Sequence, residues 1–373
     1  MFNIKQKIFN FTISFLCLLL INSCSHVKEK KNIQNSRLTE IALILPLSNS
    51  ESELGKEYAK MIKMGLANGA KTKIRITTYD GGSEGALNES IEKILDTGTD
   101  IIIGPFYSEP TRILAEKIKN KGITILSLSN NPVLAGAGVY IYGHAPMRQL
   151  DQLTNYLLDQ KYQNYILLLP KNHHSTTVAK ILDDMIIAKN GIVEKIEFYE
   201  ATPEEIEKSV KTVSDIVDHL NENDFYLHQP VIILGDDPIN IPLILDTAKR
   251  FNLDRKAILA GDNKLEIGIT KPVNVVFTGS MNAMDINLLT KAYKIGIQHV
   301  SFMHSLSYDA GNMIGDYIGA HYNKADFLAK MNSSACFVGV SGNIHFVDSI
   351  ASRKYDILKK QNDQIILLSN VKE

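Results

Sequence analysis

Tryptophan is absent from this 373-residue chain, and cysteine occurs three times, as Cys17, Cys24 and Cys336. Without tryptophan the best stacking platform for sugars or bases is missing, although fifteen tyrosines soften that exclusion. Cys17 lies in an apolar N-terminal stretch, so no disulfide framework holds the rest, which must rely on its core. A surplus of one charge is lacking as well. The 40 Lys and Arg against 41 Asp and Glu leave a formal charge of −1, and nothing there calls for nucleic acid. The longest early apolar run, Phe11 to Ile21, falls short of the roughly 20 residues that a spanning helix needs. Catalytic motifs are equally scarce. "GGSEG" at 81–85 has neither nucleotide-loop spacing, and "GVSGN" at 339–343 is not G-x-S-x-G, so no enzyme is expected. His173 and His174 are adjacent, which does not put two nitrogens on one helical face, and no third ligand lies nearby. Neither a metal nor a cofactor is expected.

The first residues read as an export signal: Lys5 and Lys7, then the apolar stretch, then small Ser23. Leu20-Ile21-Asn22-Ser23-Cys24 resembles the lipobox of bacterial lipoproteins, in which the cysteine is diacylated and becomes the new N-terminus; Asn22 is unusual at its place. That resemblance implies a signal peptide over 1–23 and lipidation at Cys24. An ordinary cleaved signal with a chance cysteine is the alternative. Residues 24–38 carry many charges without apolar periodicity and read as a lipidated flexible stalk. Loss of Lys5 and Lys7 takes the charge from −1 to −3. Two or more acyl chains anchor stably where one binds reversibly. A periplasmic protein tethered to a bacterial membrane through its lipid is expected, inner or outer being left open.

Beyond the stalk, apolar runs alternate with helical spacing. "IALILPL" at 41–47 is too apolar for a wet face, and "GKEYAKMIKMGLANGA" at 55–70 puts Tyr58, Met61, Ile62, Gly65 and Leu66 on one side. "KIRITTYD", "DIIIGPF" and "ITILSLS" follow as strands with helices between them. A second series opens at "NYILLLP" and runs through "IVEKIEFYE", "QPVIILGDD" and "KAILAGD". Strands alternating with helices at this spacing predict parallel sheets covered on both faces, and about 350 residues suffice for two lobes. The mainly helical stretch after "VNVVFTGSM" is expected to return to the first lobe.

In order along the chain stand Pro46-Leu47 before a helix with Gly65, Gly104-Pro105 with Ser108, "ILSLSN" at 125–130, Tyr308-Asp309-Ala310, and "GNIHF" at 342–346. In this order they resemble the type I periplasmic binding protein family, near its leucine/isoleucine/valine-binding branch. The resemblance covers nearly everything from Ile41 onward. It implies an α/β fold of two doubly wound parallel-sheet lobes joined by three crossovers, 39–145 with 283–340 forming the N-terminal lobe and 146–282 with 341–373 the C-terminal lobe. Crossovers are expected near Gly143–Met147, Thr278–Asn282 and Gly339–Gly342.

By the same resemblance Ser108, Ser127 and Ser129 would hold a ligand's carboxylate, since hydroxyls donate without a competing charge. Asp236, Asp237 or Asp262, at carboxyl ends of second-lobe strands, would meet its ammonium. Plainer readings stand beside these. Ser108 suits a helix cap, Asp237 before Pro238 a cap or turn, and Asp262 a turn. Where amino-acid binders of the family commonly carry a "YG" pair, this chain has Asn172, His173 and His174, so Asn172 and His173 would cover the ligand or the loop has lost its pocket role.

Two functions follow from the resemblance. In the first, a membrane-anchored solute-binding lipoprotein captures a small polar molecule, an amino acid or related anion, for an ABC permease. In the second, the chain resembles the lipoprotein activators of penicillin-binding proteins, its cleft is degenerate, and its partner is a peptidoglycan synthase.

Overall fold

The computed structural model describes residues 38–143, 146–222, 228–235, 240–263, 265, 274–361 and 364–369. A first series comprises β1 (Thr39–Leu45), α1 (Ser52–Gly69), β2 (Ile74–Asp80), α2 (Glu84–Thr97), β3 (Ile101–Ile103), α3 (Ser108–Lys117), β4 (Thr124–Ser127) and β5 (Val139–Ile141). A second comprises α4 (Pro146–Asp159), β6 (Asn164–Pro170), α5 (His173–Ala188), β7 (Ile192–Tyr199), α6 (Pro203–Glu222), β8 (Val231–Leu234), α7 (Ile241–Arg250), β9 (Ile258–Gly261) and β10 (Val275–Gly279). Then come α8 (Ile286–Lys294), α9 (Phe302–Ile318), α10 (Lys324–Met331), β11 (Phe337–Gly339), β12 (Gly342–Val347), β13 (Ile350–Lys354), β14 (Asp356–Gln361) and β15 (Gln364–Ser369).

These strands make two mainly parallel sheets within one α/β unit spanning residues 39–373. The first has the order β11-β12-β13-β5-β4-β3-β1-β2 and the second β15-β14-β10-β9-β8-β6-β7. Each parallel core is doubly wound. Its first two strands stand in reversed order, so the chain leaves β1 and β3, or β6 and β8, in opposite directions and opens a crevice beyond their carboxyl ends. Ile41 through Leu45 of β1 are at most 1% exposed, which is why that strand needs no polar alternation.

Helix α9 returns to the first sheet and packs against α1, backbone against backbone. A Cβ on Gly65 would stand 2.0 Å from the Tyr308 carbonyl oxygen, and one on Gly311 would stand 2.1 Å from that of Ile62. Glycine at both positions is what lets the axes approach, and Leu66, Ile62, Leu306 and Met313 fill the core around the contact.

At one place the strand pairing differs from the expected division. Residues 342–354, assigned by resemblance to the second lobe, form a β12–β13 hairpin that joins the first sheet through Ile350 opposite Ile141. The chain crosses between sheets at Tyr355, not near 339–342, and only β14 and β15 extend the second sheet. The hairpin is turned by Asp348 and Ser349, both at positive φ (50° and 63°), a two-residue turn lacking the Asn-Gly signature that announces most of its kind. Beside the crossing, Arg353 stacks on Tyr142 at 4.8 Å, and the Tyr355 N–H donates to Gln152 Oε1 at 3.1 Å. The Met281 N–H donates to Asp356 at 2.9 Å, tying the second passage between sheets to the third.

Candidate functional site

The crevice beyond β1 and β3 is bounded by the loop 46–51, the loop 104–107 and the residues after β4. Asp80, at the end of β2, braces the first of these: its Oδ1 accepts from the Leu47 N–H at 2.9 Å and the Gly82 N–H at 2.8 Å. Burial alone would raise this carboxyl, but hydrogen bonds from the Ser48 hydroxyl and from the backbone of Gly82, Leu47 and Ser48 hold it below its ordinary value.

A cavity of about 340 Å³ opens here, walled by Pro46, Glu51, Tyr58, Phe106, Tyr107 and Leu128. Leu54, Asn130 and Met303 line it as well. Tyr58 and Phe106 stack with ring centroids 4.8 Å apart, and the Tyr107 hydroxyl donates to the Glu51 carboxylate. Burial, with Glu51 and Glu57 nearby, pushes the Tyr58 phenol up to about 12. Tyr107 is raised too, by burial and then by its bond to Glu51, so both rings stay neutral. Behind Tyr58, the His304 Nε2 lies 3.0 Å from Glu57, and its Nδ1 accepts from the Ser301 N–H at 3.1 Å. An accepting Nδ1 makes Nε2 the protonated nitrogen of a neutral ring. Burial lowers the His304 pKa, against the pull of Glu57.

The three expected serines do come together, but on each other. Ser127 is fully buried, its hydroxyl 2.8 Å from Thr111 Oγ1 and 3.3 Å from the Pro105 carbonyl oxygen, and it accepts from the Ser129 N–H at 3.1 Å. Ser129 is 1% exposed; its hydroxyl lies 3.1 Å from that of half-buried Ser108 and accepts from the Asn131 N–H at 3.2 Å. Ser108 is the first residue of α3, and Tyr107 before it holds the cap position. These hydroxyls and Thr111 form a seam that fastens the end of β4 to α3. Leu128 and Asn130, the alternate residues, are the ones that face the cavity.

Asn172 caps α5, accepting from the Ser175 N–H at 2.8 Å, and His173 is exposed in the first turn of that helix. Asp262, beyond β9, is 7% exposed. Its neighbour Asn263 donates its N–H to Gln149 Oε1 at 3.2 Å, and Gln149 is fully buried on α4, a contact that nothing in the sequence announced. Asp236, Asp237 and Cys24 lie outside the described residues. Among the described residues no cluster of three His, Cys, Asp or Glu could hold a metal, and no helix is long and apolar enough to cross a membrane.

Two doubly wound sheets with a crevice at the switch point of the first define a type I periplasmic binding protein fold. A chain from Rhodospirillum rubrum described as a "putative branched-chain amino acid ABC transporter" superposes with a TM-score of 0.72 at 12% identity, covering 89% of this chain and all of that one. The C-domain of LpoA (YraM) from Haemophilus influenzae, a regulator of PBP1A, superposes with a TM-score of 0.62 at 14% identity, covering 89% of this chain and all of that domain. Residues 23–224 match the family described as "LppC putative lipoprotein". Uncharacterized protein RP748 of Rickettsia prowazekii (strain Madrid E) is 39% identical over 97% of this chain and 98% of its own length. The protein belongs to the LppC lipoprotein family.

Proposed function

We propose that this LppC-family lipoprotein is a membrane-tethered regulator that docks on a cell-wall synthase of the penicillin-binding class, rather than a receptor that hands a solute to a permease. The inward seam of Ser108, Ser127 and Ser129 carries this reading. Those hydroxyls would have to meet an amino acid's carboxylate, yet two are at most 1% exposed and all three already have partners. The cavity beside them presents Glu51, which repels a carboxylate. Membership of a lipoprotein family and the likeness in fold to LpoA, a regulator of PBP1A, point the same way. The lipid at Cys24 would hold the protein at a membrane, where a synthase is also held.

The test is direct binding of the detergent-solubilised full chain to the purified penicillin-binding proteins of its own cell. Saturable binding to one of them, with a change in its glycan-polymerising or cross-linking rate, is expected; binding to none removes the proposal. The 340 Å³ cavity keeps solute capture as the second reading, because that volume lies within the range of small-molecule sites. Under it, thermal melts against amino acids and aromatic acids should reveal a stabilising compound, one at 100 times its Kd adding about 2.7 kcal/mol.

A further inference from the structure

We propose that the first-lobe rim is a docking groove for an extended protein segment presenting a basic side chain between two apolar ones, and that Tyr107 is its central ridge. This rests on the regulator reading and supplies the chemistry of its partner.

The cavity beyond β1 and β3 does not stand alone. A second, of about 210 Å³, lies between the loop 81–84 and the first turn of α3, and Tyr107 lines both. Leu87, Pro110 and Ile113 give the second an apolar floor. The ridge itself is open: Tyr107 is 46% exposed, and Leu54 on the other side of the first cavity is 45% exposed. A neutral aromatic held upright by Glu51, between two side-chain-sized hollows, suits anchoring residues of a protein more than one enclosed ligand. The smaller hollow is below the roughly 300 Å³ at which small-molecule sites begin.

Charge decides what the segment carries between its anchors. Among the described residues no Lys or Arg lines either hollow, whereas Glu51 lines the first and Glu84 and Glu109 the second. Arg112 engages Glu109 at 2.9 Å, but Glu84, exposed at the start of α2, makes no ion pair among the described residues. A Lys or Arg passing over Tyr107 would lie between the hollow that carries Glu51 and the one that carries Glu84. An acidic segment would be repelled.

A displayed library of random short peptides, selected on the full chain, provides the test. The selected pool should be rich in Lys or Arg flanked by Phe, Leu or Ile, and should weaken as salt is raised. Tyr107→Ser and Glu84→Gln, both at exposed positions and each checked for an unchanged melting curve, should each weaken the pool's binding by about tenfold or more. An empty pool, an acidic pool, or a pool indifferent to both variants overturns the groove. A cell-wall synthase bound equally by wild type and variants, with no selected pool, overturns the groove and leaves the regulator reading standing. A basic-apolar pool whose binding falls in both variants, in a protein that binds no synthase, does the reverse.

Discussion

The Ser127 hydroxyl lies 2.8 Å from the Thr111 hydroxyl, and that contact turns the end of β4 away from the crevice it was expected to serve. Thr111 in turn donates to the Tyr107 carbonyl at 2.7 Å, so the seam also sets the start of α3 and, through it, the Tyr107 ridge. Removing the Ser127 oxygen leaves the Ser129 N–H without its acceptor in a fully buried place. Ser127→Ala should therefore cost about 1–3 kcal/mol of folding stability. Binding of any small solute should be untouched. Urea denaturation beside a binding isotherm checks both, and a variant of full stability with lost solute affinity would restore the serine to a binding role.

Gly65→Ala or Gly311→Ala should be among the most damaging single substitutions around the first sheet. Each new methyl would sit about 2 Å from a backbone carbonyl oxygen of the opposing helix, and backbone yields less than a side-chain end. Overpacking of this kind costs about 1–3 kcal/mol or more. Thermal melts give the answer; an Ala variant with an unshifted midpoint would mean that α1 and α9 are not in backbone contact.

The alternation of elements was legible from the chain because fully apolar runs such as "IALILPL" and "DIIIGPF" have only one stable setting, a parallel strand covered on both faces. The return of the late helices to the first sheet was legible for a different reason: a second sheet already complete offers them no face. The destination of 342–354 was not. Its hairpin is turned by Asp348-Ser349, residues that reach positive φ only because the strands on either side pair. In the site, Ser108, Ser127 and Ser129 lie against one another, and whether a hydroxyl meets a ligand or another hydroxyl is decided at the level of single side-chain directions. In a strand buried on both faces no polar alternation marks which parity faces the crevice, so nothing in the sequence singles out Leu128 and Asn130. Phe106 and Tyr107, just past Pro105 at a switch point, were the available signal.

Protonation of His304 should make stability fall as pH drops. Its folded pKa is lowered, first by burial, so between the folded and the ordinary histidine value of 6.5 the unfolded chain binds more protons than the folded one. Stability contributed by the neutral ring is complete above that ordinary value and declines as pH falls through it. Protonation would also remove the Nδ1 lone pair that accepts from the Ser301 N–H. Urea midpoints measured from pH 8 down to 5 should slope less steeply in His304→Phe than in wild type, and superimposable slopes would exclude the imidazole as the source.

Asp309 offers the sharpest test of how the β11–β12 connection is held. Its carboxylate accepts from the Val340 N–H at 2.9 Å and from the Ser341 N–H and hydroxyl, each at 2.6 Å, in a fully buried place. Burial raises its pKa, and the Ser341 hydroxyl and the two backbone donors work against that rise. Asp309→Ala would strand three donors at once, and a loss of about 3 kcal/mol or more follows from the cost of leaving buried groups unpaired. Asp309→Asn keeps one acceptor oxygen but turns an amide donor toward another donor, so its cost should fall between Ala and wild type. Amide exchange at Val340 and Ser341 should quicken in both variants well before exchange in β1 does. Exchange at those two amides as slow as in wild type would mean that the turn is held by the hairpin alone and that the carboxylate is incidental to it.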